Sequence, residues 1–130
     1  MMNIVLDTNI LVSAIWSPGR TAGDILHAVF AGKYRACYDY RILDEYERVL
    51  HYSKFPFTEW EIRAVLDPLI RNGISVIADP VPGVIFADES DRKFYEVAKF
   101  CHAVLITGNG KHFPEEPGVM TMREFCERFM

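Results

Sequence analysis

The sequence predicts an α/β fold, a three-layer α/β/α sandwich around a mainly parallel central sheet, and two patterns carry that expectation. Apolar runs without alternation, such as Ile4-Val5-Leu6 and Val104-Leu105-Ile106, suit short strands buried on both faces. Between them lie segments whose apolar residues recur at helical spacing. Strands that alternate with helices place those helices over the faces of a parallel sheet.

Taken in order, Asn3 to Leu6 reads as the first strand, ended by Asp7. Ile10, Leu11, Ala14 and Ile15 then keep helical spacing, with Thr8 or Asn9 placed to cap the start and Pro18-Gly19 to stop it. Thr21 to Ala31 reads as a second helix and Arg35 to Asp39 as a strand. Ile42, Leu43, Tyr46, Val49 and Leu50 share one face of the next helix, with Glu45 and Glu47 on its borders. Glu59 to Arg71 is another helix, in which Pro68 is discordant. Ile74 to Ala78 reads as a strand entering a Pro-rich loop. Asp91 to Cys101 is helical, Val104 to Ile106 a strand, and Met122 to Phe129 a final helix. No repeat or linker interrupts the pattern, so one domain over residues 1–130 is expected.

Composition agrees with a globular chain: 50% of the 130 residues are hydrophobic and 25% charged. Cys37, Cys101 and Cys126 are odd in number and widely spaced, without a CxxC motif, which points to a cytoplasmic protein rather than a disulfide framework. The opening stretch has no basic segment and carries Asp7 and Asn9 within its apolar run, unlike a signal peptide. No apolar run approaches the ~20 residues of a membrane span. A formal net charge of −4 does not favour a broad polyanion-binding surface, so contact with nucleic acid must be local. The acidic excess suits either a carboxylate pocket or a basic partner.

In open α/β sheets the ligand site lies beyond the carboxyl ends of the strands. Asp7, Thr8 and Asn9 follow the first strand and Thr107, Gly108 and Asn109 the fourth, and these are expected to meet at the switch point of the sheet. A dense acidic segment, Asp88 to Asp91, precedes a helix. Each acid has a plainer reading beside the functional one. Asp7 suits an N-cap, Asp88 can cap by bonding the amide three residues on, and Glu45 can pair in solvent with Arg41 or Arg48. If Asp7, Glu45, Asp88 and Asp91 converge, their repulsion raises their pKa values unless a cation neutralises the pocket. Oxygen-only donors favour Mg2+ or Mn2+. His27, His51, His102 and His112 lack the paired spacing of zinc sites and read as isolated surface residues.

Four ordered blocks, IVLDTNILVSAIWSPG, ILDEYERVL, ADESDRKFYEVAKF and AVLITGNGKHFP, resemble the PIN-domain family. The branch they resemble is the small prokaryotic one that includes VapC-like toxin ribonucleases of toxin-antitoxin pairs. That resemblance implies a PIN-like, Rossmann-like fold with Asp7, Glu45 and Asp91 as catalytic metal ligands and Asp88 as a weaker companion. It selects Glu45 over Glu47, which amphipathicity leaves open. Thr8, Asn9, Thr107 and Asn109 would support the site, although the family often has an acid where this chain has Asn109. An uncharged amide there implies weaker metal binding or the loss of a second ion.

The activity implied is hydrolysis of RNA phosphodiesters by a metal-activated water, leaving a 5′ phosphate and a 3′ hydroxyl. Arg20, Arg92, Lys93 and Lys111 lie near the motif segments and are candidates for phosphate contacts. The resemblance further implies a homodimer and a cognate antitoxin. Two other readings stand beside the nuclease. One is a degenerate PIN fold kept for binding RNA or protein, with Asn109 marking lost catalysis. The other is a phosphatase phosphorylated on Asp7, against which Asn9 stands where Asp-x-Asp enzymes carry their second acid.

Overall fold

The computed structural model describes all residues from 1 to 130. In chain order it contains β1 (Met2–Leu6), α1 (Thr8–Trp16), α2 (Thr21–Phe30), β2 (Tyr34–Tyr38), α3 (Tyr40–Leu50), α4 (Glu59–Asn72) and β3 (Ile74–Ser75). After a loop and a 3-10 turn (Glu89–Asp91) follow α5 (Arg92–Cys101), β4 (Val104–Thr107), a second 3-10 turn (Gly110–His112), β5 (Val119–Thr121) and α6 (Met122–Phe129). The five strands form one sheet in the order β3-β2-β1-β4-β5. Every neighbouring pair is parallel, as expected of a βα alternation.

Buried runs make the central strands. Ile4, Val5, Leu6, Leu105 and Ile106 are almost wholly inaccessible and belong to a 29-residue core cluster that includes Tyr46, Phe94 and Phe125. Helices are anchored by local chemistry. Asp39 accepts from the amide of Ile42 at 3.0 Å to start α3, and capping boxes of Thr58 with Glu61 and Thr121 with Glu124 start α4 and α6. Pro68 does not end α4, which continues to Asn72 with Leu66 and Leu69 buried on either side of it.

Some boundaries differ from the sequence expectation. Neither Thr8 nor Asn9 caps α1, since both are already helical; the N-cap position falls to Asp7, as its plainer reading had it, although its side chain makes no capping hydrogen bond. Asp91 belongs to the 3-10 turn, and α5 begins one residue later. β3 stops at Ser75, because only Val76 continues the pairing, with its amide on Tyr38 O at 2.9 Å, and Ile77 is exposed to solvent. β5 was not expected at all. Its three residues bury one side chain, Met120, too few to show a period.

The order of strands fixes where a site can lie. From β1 the chain builds outward through β2 to β3, then returns to place β4 on the other side of β1. The carboxyl ends of β1 and β4 therefore flank the reversal, the position at which open α/β sheets form their ligand crevice. Tyr46 fastens α3 there by donating its hydroxyl to Leu6 O, the last carbonyl of β1, at 2.6 Å.

Candidate functional site

Two strand ends are stitched together at this crevice. The Asp7 amide donates to Ile106 O at 3.0 Å, and Thr107 Oγ1 donates to Asp7 Oδ2 at 2.7 Å. The Thr107 hydroxyl also receives the Asn109 amide at 3.0 Å, so a single buried side chain orients both the first acid and the following loop.

Glu45 arrives from α3. Ile42 and Tyr46 are buried by that helix, and Glu45, between them, is carried to the edge of the crevice. The buried Thr8 hydroxyl donates to Glu45 Oε2, while Lys93 Nζ stands 2.7 Å from Glu45 Oε1. Neither Arg41 nor Arg48 pairs with Glu45. Arg41 bonds Asp39 and Glu96, and Arg48 bonds the Tyr52 hydroxyl. Glu47 turns the other way, to Arg63 of α4 and to His51. That difference in partners separates two acids that the helical pattern left equivalent.

Asp91 lies at the end of the first 3-10 turn, with Oδ2 3.5 Å from Nδ1 of His112 in the second. Asn109 Nδ2 meets His112 Nε2 at 3.1 Å; if the amide donates there, a neutral ring carries its proton on Nδ1, facing Asp91. Asn109 Oδ1 accepts the Lys111 amide at 3.3 Å, so both ends of the amide have partners within the loop.

The acids feel one another. Burial raises the Asp7 carboxyl, the Thr107 hydrogen bond opposes this, and the charge of Glu45 adds to it. Asp91 is pushed up to about 6 by burial first and then by Asp7 and Asp88, with His112 acting against them. Burial, followed by the charges of Asp7 and Glu45, also holds the Tyr46 phenol well above its ordinary value. Asp88 behaves oppositely. It is exposed at the rim, and hydrogen bonds from the Ser90 hydroxyl at 2.7 Å and amide at 2.9 Å lower its pKa. Its cap thus reaches two residues on, not three.

The remaining candidates are dispersed. Asn9 is exposed beside Thr8, and Lys111 is exposed on the second turn. Arg92 binds Glu89 and the carbonyls of Val81 and Val84, pinning the loop before the first turn. Arg20 lines a separate groove with Val12, Trp16 and Met122. His112 and the ion pair of Lys93 with Glu45 are what the sequence reading missed. The i, i+3 spacing of Asn109 and His112 was the only hint, and it acquires meaning only once the turn is folded.

In donor chemistry Asp7, Glu45 and Asp91 fit a hard divalent cation: they are oxygen ligands, and Asp7 and Asp91 are held above their ordinary pKa values partly by neighbouring negative charge. As the side chains stand, no three His, Cys, Asp or Glu groups are drawn together closely enough to enclose one ion. Both oxygens of Glu45 already have protein partners.

Comparison with known proteins gives the same fold. Residues 3–111 match the model of the PIN domain family. The structure of VapBC2 from Rickettsia felis, bound to a DNA fragment from its promoter, aligns with a TM-score of 0.61 and 20% identity over 92% of this chain and 97% of that one. PAE2754 from Pyrobaculum aerophilum aligns with a TM-score of 0.62 and 12% identity over 98% of this chain and 88% of that one. No curated protein matches the sequence. No helix is long and apolar enough to cross a membrane. Because the family model spans Asp7, Glu45 and Asp91 together with all but the last strand and helix, the chain belongs to the PIN domain family.

Proposed function

We propose that residues 1–130 form a single Mg2+- or Mn2+-dependent endoribonuclease domain, the toxin component of a toxin-antitoxin pair. The observation that carries this reading is the meeting of Asp7 with Thr107 across the β1–β4 switch point, with Glu45 and Asp91 close enough to act electrostatically on Asp7 or on each other. Asp7, Glu45 and Asp91 would hold the metal, with Asp88 at the rim. A bound divalent ion there supplies Lewis acidity, lowering the pKa of the attacking water and neutralising the phosphate.

The chain's own residues prepare the site. Thr107 fixes the rotamer of Asp7, Thr8 fixes that of Glu45, and His112 faces Asp91. The match to VapBC2, a complex, supports a cognate antitoxin as partner. A homodimer in the cytoplasm follows from the resemblance to VapC-like proteins.

A second reading has a specific observation in its favour. Asn109 has both amide atoms engaged, and Glu45 has both oxygens engaged, which suits a PIN fold that binds RNA or protein without cutting. Incubation of a mixed RNA pool with Mg2+ or Mn2+, beside Asp7→Asn and an EDTA control, separates the two. The nuclease reading expects metal-dependent products that the variant and the chelator both abolish. Equal RNA binding with and without metal, and no cleavage, would establish the binding module instead.

A further inference from the structure

We infer that Lys93 is a built-in counter-cation for Glu45, which holds the acidic crevice together without metal and must be displaced when a divalent ion binds. The inference rests on the metal-dependent reading of the site. Its basis is the placement of one side chain.

Lys93 lies in the first turn of α5, the positive end of the helix dipole, where a cation is disfavoured by the helix itself. Something else must hold it there. Its side chain is 11% exposed and that of Glu45 13%, so the pair is largely removed from solvent. The ammonium is 2.7 Å from Glu45 Oε1, donates to Ser90 O, and sits 5.1 Å from the centre of the Phe94 ring. Glu45 Oε2 is taken by Thr8. A divalent ion that uses Glu45 therefore meets Lys93 at the only carboxylate oxygen not already fixed by a neutral donor. Two cations sharing that oxygen at such separations repel strongly, and the flexible four-carbon stem lets the ammonium swing away.

Exchange of this kind has a thermodynamic signature. An interaction present without metal and absent with it stabilises only the metal-free state, and by linkage weakens metal binding by the same factor. Lys93→Met should therefore lower the melting temperature of the metal-free protein and tighten Mn2+ binding by about tenfold, while the two proteins melt more nearly together at saturating Mn2+. Lys93→Arg keeps the charge and should keep the wild-type affinity. Lys111→Met removes the same charge from the exposed second turn and should change affinity by less than about threefold, because solvent and salt screen it.

The test is titration of Mn2+ alone into each protein, followed calorimetrically and by the electron spin resonance of free Mn2+, with parallel melts. Unchanged or weaker binding by Lys93→Met, or an equal gain in Lys111→Met, overturns the exchange. If wild type binds Mn2+ and cleaves RNA while Lys93→Met binds no tighter, the exchange fails and the nuclease reading survives. If no protein binds Mn2+ and none cleaves RNA, both fail.

Discussion

Asp91 titrates near 6 because burial, and then the charges of Asp7 and Asp88, disfavour its ionised form in the folded protein. An unfolded chain returns it to about 3.9, so the folded state holds the proton more tightly. The sign follows from that difference. Stability from Asp91 is complete below about pH 4 and is lost as the pH rises through about 6; above that range the ionised group costs at most roughly 3 kcal/mol. Asp91→Asn should therefore raise the melting temperature of the metal-free protein at about pH 7.5 and leave it nearly unchanged at about pH 4. Thermal melts at the two pH values check this, and an equal shift at both would contradict it. Asp7, raised for the same leading reason, acts in the same direction.

Turns between elements are where packing tolerates least. Gly23 lies in the first turn of α2, and a Cβ added there would stand 2.7 Å from the carbonyl carbon of Pro18 and closer still to its oxygen. Those are backbone atoms and cannot rotate aside. Gly23→Ala should destabilise by on the order of 1–3 kcal/mol, whereas Gly19→Ala, with nothing within 4 Å, should change stability by less than about 0.5 kcal/mol. Urea unfolding of both variants makes the comparison. The same contrast between local and tertiary causes decides what was legible in the sequence. β1 and β4 were readable because their own side chains are buried on both faces, and α6 because its apolar spacing and cap are local. β5 was not, since its strand character comes from β4, whose Leu105 amide bonds Gly118 O at 2.8 Å. Asp7 was readable as a polar residue at a strand end. Glu45 and Glu47 were not separable along α3, because what separates them is Arg63 from α4 taking one and Thr8 and Lys93 the other. His112 gains its place only when two 3-10 turns, Glu89–Asp91 and Gly110–His112, come face to face.

If the chain acts on RNA, as proposed, the charge of the whole molecule sets how it would hold it. Against 18 acidic residues stand 14 Lys and Arg. Many of these cations are engaged within the fold: Arg41 with Asp39 and Glu96, Arg63 with Glu47, Arg92 with Glu89, Lys93 with Glu45, and Lys99 with Glu116. A cation already paired releases little counterion when it reaches a phosphate, because it must first leave its carboxylate. Affinity for single-stranded RNA should then depend only weakly on salt. With about three phosphates neutralised, log K against log salt should fall with a slope of about −2, as ~0.7 per phosphate predicts. Fluorescence anisotropy of a labelled RNA with Asp7→Asn, between about 50 and 200 mM salt, measures the slope without cleavage. A slope of about −5 or steeper would mean that the internal pairs open to form a broad basic surface on binding, contrary to the charge arrangement of the folded chain.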